Sequence, residues 1–111
     1  MKNTETICEN RLFRRLYRTG KSEVTPLFVL YFRKNGSEKN RLGITTSTKI
    51  GKAVQRNRCR RVLREAYRLL EPEMKPGYDY ILVARTKTAF VSMNSVKDLL
   101  KNVLERQGAM K

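Results

Sequence analysis

The segment 55–70 limits the fold more than any other part of the chain. Cys59, Val62, Leu63, Ala66, Tyr67 and Leu70 recur at helical spacing and form one apolar stripe. At about 100° per residue, Asn57, Arg60, Arg61, Arg64 and Arg68 fall in one arc facing away from that stripe. Arg56 projects nearer the edge, in the first turn. A helix of this kind has to lay its stripe on a core and turn a cationic face outward. Residues 52–68 hold seven basic side chains and one acid, Glu65. An ordinary solvated face alternates sign to gain i,i+4 pairs, whereas this one repels itself. It is also almost purely arginine, the side chain suited to forked phosphate contact and to stacking on bases.

The remaining patterns supply a core for the stripe. Leu12, Phe13, Leu16 and Tyr17 predict a short helix ended by Gly20, with arginines on its other faces. Leu12 and Leu16 read as core; Phe13 and Tyr17 suit either core or base stacking. Residues 27–32 are rich in strand formers, with Pro26 at their start. Asn35-Gly36 then predicts a hairpin to a returning strand over 41–46. Pro72 and Pro76-Gly77 end the arginine-rich helix. Residues 78–85 predict a strand apolar enough to be central in a sheet. Val96, Leu99, Leu100, Val103 and Leu104 mark a last helix with an ordinary mixed-charge outer face, capped by Gly108. The expected architecture is α/β, an α+β sandwich: a small sheet of three to four strands with three helices, in one domain over 1–111. The ends, roughly 1–8 and 108–111, are expected to fray.

A net charge of +15 on 111 residues, with a pI near 10.4, calls for a polyanionic partner. Nucleic acid fits better than a membrane, because no apolar run approaches spanning length. The first residues show no apolar signal-like stretch, so secretion is not indicated and a cytoplasmic location is expected. Cys8 and Cys59 read as two reduced, unpaired thiols. Histidine is absent, which removes the usual general base and the commonest metal ligand. Residues 43–52 resemble a phosphate loop only loosely, since Ala53 stands where a magnesium-binding hydroxyl belongs. Of the acids, only Glu5 with Glu9, and Glu71 with Glu73, come close together, and all four read as solvated loop residues. No catalytic residue, metal site, small-molecule substrate or bound cofactor is assigned to the protein itself.

The run Gly51-Lys52-Ala53-Val54-Gln55-Arg56-Asn57-Arg58-Cys59-Arg60-Arg61, continuing to Arg64-Glu65, resembles the Arg-Asn-Arg signature of the bacterial ribonuclease P protein subunit family. The likeness extends to residues 13–20, 28–31 and 78–85, in the right order. Cys59 replaces the usual aliphatic residue, and Arg60 stands where lysine is common.

The resemblance implies that the signature helix lies in a left-handed crossover between parallel strands. It also implies a role: assisting a catalytic RNA, which carries the active site and requires Mg2+, in removing the 5′ leader of precursor tRNA. By resemblance, Lys52, Arg56, Asn57, Arg58, Arg60, Arg61, Arg64 and, on the same arc, Arg68 face the RNA subunit. Phe13, Tyr17, Tyr31 and Thr45 match a cleft that takes the leader. The alternative is a small structural ribosome-associated protein, for which size and charge are equally natural. A stand-alone protein nuclease is disfavoured, since it needs a histidine or a converging acidic cluster.

Overall fold

The computed structural model describes residues 3–7 and 9–111. Cys8, one of the two cysteines, lies outside them. In chain order the elements are β1 (Thr4–Thr6), α1 (Asn10–Thr19), β2 (Lys21–Val24), β3 (Phe28–Lys34), β4 (Asn40–Thr45), α2 (Ala53–Leu70), β5 (Tyr78–Ala84) and α3 (Met93–Arg106). Short 3-10 turns occupy Thr48–Ile50, Glu71–Glu73 and Thr86–Phe90.

The strands form one five-stranded sheet in the order β1-β4-β5-β3-β2. β5 is central, antiparallel to β3 and parallel to β4. Its sequence explains the position: all but Val83 are buried, so it needs neighbours on both edges and layers on both faces. α2 connects the parallel pair β4 and β5, as the crossover of the signature helix requires.

The α/β architecture is as expected, with five strands where three to four were read; β1 and β2 are the strands without a sequence pattern. One expectation about the sheet is corrected. The Asn35-Gly36 turn does not close a hairpin, because β5 inserts between β3 and β4. Gly36 still takes the left-handed conformation, φ 72°. Asn35 serves the inserted strand instead: its backbone N–H donates to Gly77 O at 2.8 Å, and its amide donates to Asp79 Oδ1 at 2.9 Å. The hairpin of this fold is β2–β3, closed around Pro26. There the Thr25 hydroxyl accepts from the Phe28 N–H at 2.9 Å and donates to its carbonyl at 2.5 Å.

Alternation along β5 divides the core. Tyr80, Leu82 and Ala84 face α2 and α3 in the main core, whereas Ile81 faces α1 with Ile7 and Leu16. The α2 stripe is buried residue for residue: Cys59, Val62, Leu63, Ala66, Tyr67 and Leu70. Burial pushes the Cys59 thiol up, which keeps it a packing residue rather than a nucleophile. α3 starts on a Ser92 cap, whose hydroxyl accepts from the Ser95 N–H, and ends before Gly108, φ 73°. The stretch expected to fray after α3 packs instead. Ala109 is buried, Lys75 N–H donates to its carbonyl at 2.8 Å, and Lys111 N–H donates to Glu73 O at 2.8 Å. Glu71, read as a solvated loop residue, is buried as well.

Candidate nucleic-acid interface

The apolar stripe dictates what α2 shows to solvent. With the stripe on the sheet, Asn57, Arg58, Arg60, Arg61, Arg64 and Arg68 are exposed, and Arg56 is half-buried. The cations differ in what they hold. Arg61 and Arg64 have no side-chain partner among the described residues, and neither has the Lys52 ammonium. Arg60 donates to Asn57 Oδ1 at 3.0 Å, leaving most of its fork free. Arg56 donates to Gly51 O at 2.7 Å and closes the helix start, where Gln55 Oε1 accepts from the Lys52 N–H at 2.7 Å. Arg68 forks onto Glu65, which lowers the carboxyl's pKa and raises that of the guanidinium. Arg58 is engaged with backbone: Nε donates to Ala89 O at 2.9 Å and Nη2 to Val91 O at 3.1 Å.

The aromatic positions gather on the α1 side of the sheet. Tyr17, 40% exposed, meets Tyr31 edge-on with ring centroids 4.8 Å apart, and Phe13 follows at 6.4 Å from Tyr17. Phe13 lies directly over β4 at Gly43. A Cβ there would come within 2.6 Å of the ring, so the close approach requires glycine. Thr45 is two residues farther along β4, on the same face, paired in register with Val83.

A cleft of about 200 Å³ brings Phe13 of the aromatic set beside two cations of the arginine face. Phe13, Gly43 and Ile44 line it from α1 and β4, Thr6 and Ile7 from the N-terminal edge, and Arg60 and Arg64 from α2. Of the predicted leader-binding set only Phe13 lines this cleft, beside Arg60 and Arg64; Tyr17, Tyr31 and Thr45 lie outside its lining. Sequence reading missed this junction and the seat at Gly43; a glycine inside a strand pattern is the signal that could have marked it.

The opposite end of the sheet carries a second polar arrangement. Arg41 forks onto Asp79, Nε to Oδ1 at 2.7 Å and Nη2 to Oδ2 at 2.8 Å, which raises the Arg41 pKa. Among the described residues no three His, Cys, Asp or Glu side chains converge where they could hold a metal ion. No helix there is long and apolar enough to cross a membrane.

Comparison with known proteins decides between the two readings of the sequence. The family model for Ribonuclease P matches residues 1–108. The chain belongs to the ribonuclease P protein family. It is 43% identical over 103 residues to the ribonuclease P protein component of Clostridium botulinum strain Loch Maree, covering 92% of this chain and 93% of that one. With the component of Clostridioides difficile strain 630 it shares 41% over 95 residues, covering 85% and 83%. The fold matches the ribonuclease P protein of Staphylococcus aureus with a TM-score of 0.83 at 30% identity, covering 96% and 97% of the two chains. That of Thermotoga maritima matches with a TM-score of 0.82 at 35% identity, covering 92% and 96%. The protein is thus a component of a tRNA-processing ribonuclease, and its membership implies an RNA partner.

Proposed function

We propose that this ribonuclease P protein binds the catalytic RNA through α2 and the 5′ leader of precursor tRNA through the adjoining cleft, assisting removal of the leader. The observation that carries the reading is that Phe13 lines one cleft together with Arg60 and Arg64 of the arginine face. A protein that sits between two polyanions lowers their mutual repulsion through its cations. Arg61 and Arg64, without side-chain partners among the described residues, are available for phosphate. The rings of Tyr17 and Tyr31 offer stacking surface to unpaired leader bases, and Thr45 offers a hydroxyl.

In this reading the RNA carries the active site and holds the magnesium ions that hydrolysis requires. The protein contributes binding and orientation; with no histidine in the chain, proton transfer by imidazole is not available to it. The test is precursor cleavage at low magnesium with RNA alone, protein alone and both. Leader removal that depends on the RNA and is accelerated by the protein supports the reading. Equal rates with and without protein overturn it.

A further inference from the structure

Arg58 is a signature arginine whose guanidinium grips the chain rather than solvent. Its two bonds go to the carbonyls of Ala89 and Val91, on either side of Phe90. The same turn is fixed from below. Thr88 is fully buried; its hydroxyl donates to Leu27 O and accepts from the Arg85 N–H at 3.0 Å. Ala89 is buried too. The backbone at Phe90 is thus held on both flanks while its ring is 69% exposed, more than any other aromatic side chain among the described residues.

Helical geometry places this ring relative to the arginine face. Arg58 lies at one margin of the exposed arc of α2, and Arg60 and Arg64, which border the cleft, lie toward the other. Asn57 and Arg61 run between them. Val54, one turn before Arg58 on the same margin, is 78% exposed. Residues 80–97 contain no acid, Arg85 precedes the turn and Lys87 lies within it, so the surroundings favour a polyanion. A second copy carrying +15 would be repelled.

We infer that Phe90 is a stacking platform for an unpaired base of the RNA that lies on α2, positioned by Arg58. The inference rests on the reading that α2 binds the RNA subunit. It assigns Phe90 to that RNA and not to the leader, because the cleft opens at the opposite margin of the helix. An aromatic ring in water gains by covering its face with a base, and a rigid turn adds little ordering cost when it does so.

The chain has no tryptophan, so Phe90→Trp makes a sole indole that reports on this position alone. Titrating the full-length variant with the RNA subunit is expected to quench the indole. A single-stranded leader oligonucleotide is expected to leave it unchanged. Phe90→Ala is expected to weaken RNA-subunit binding roughly ten-fold, with Phe90→Tyr restoring it. The salt dependence and the melting temperature should stay as in the parent, since neither a phosphate contact nor a buried group is lost. An indole left unquenched by RNA that binds with normal affinity would overturn the inference while sparing the α2 reading. Failure of the parent protein itself to bind the RNA subunit would overturn both. A fluorescence change driven by protein concentration without RNA would assign the ring to contact between copies, and overturn it as well.

Discussion

Phe13 rests on Gly43 so closely that a single added carbon on the glycine would sit 2.6 Å from the ring. The ring is half-buried, with one side on β4 and another lining the cleft beside Arg60 and Arg64. Gly43→Ala should push it outward and cost ~1–3 kcal/mol through overpacking. Affinity for leader-bearing precursor should fall more than affinity for mature tRNA. Thermal melts beside binding of both RNAs check this.

Tyr17 and Phe13 should separate recognition from packing. Tyr17→Ala removes an exposed ring, and ~1–3 kcal/mol of stacking should disappear only for substrates with a leader several nucleotides long. Phe13→Ala should lower both leader affinity and melting temperature. Equal losses on long-leader, short-leader and mature RNAs, in step with lost stability, would show the rings to be core.

The arginine face should be separable from the fold. Replacing Arg60, Arg61 and Arg64 with Gln should leave the circular dichroism unchanged, since all three are exposed. RNA-subunit affinity should fall, and the slope of log affinity against log salt should become shallower by up to about three. By contrast Leu63, fully buried at the middle of the stripe, should cost ~2–5 kcal/mol as Leu63→Ala.

These predictions draw on parts of the molecule that were unequally legible in the sequence. The α2 stripe could be read residue by residue, because helical period and burial are the same constraint. The central place of β5 followed from its apolar run over residues 80–84. The strands β1 and β2, three and four residues long, show too little alternation to register. The misplaced hairpin has a physical origin: Asn35-Gly36 is a local turn signal, while the pairing that overrode it joins strands separated by the whole of α2. Phe13, Tyr17, Tyr31 and Thr45 came from the family resemblance, and the structure adds the seat of Phe13 at Gly43 and its shared cleft with Arg60 and Arg64. The grip of Arg58 on Ala89 and Val91 spans more than thirty residues and leaves no trace in spacing.

Two buried tyrosines set an alkaline limit. Burial pushes the Tyr67 phenol up to about 12 from its ordinary 10.0, and burial likewise raises Tyr80. A phenol whose pKa rises on folding contributes stability that is present below its ordinary value and is lost as pH climbs through the folded one. Stability should therefore fall above pH 10.0. The Tyr80 hydroxyl is buried without a hydrogen-bond partner among the described residues. Tyr80→Phe should raise stability by ~1 kcal/mol near neutral pH and soften the alkaline fall. Denaturant melts at several pH values, parent against variant, check both.

The most direct test of the central claim is cleavage of a leader-bearing precursor tRNA at low magnesium, comparing RNA subunit alone, scrupulously RNA-free protein alone, and the two together. The account predicts no cleavage by the protein, slow cleavage by the RNA, and faster cleavage by the complex, with the gain reduced by the triple arginine replacement. Turnover by the RNA-free protein, abolished by mutating one of its carboxylates, would contradict it.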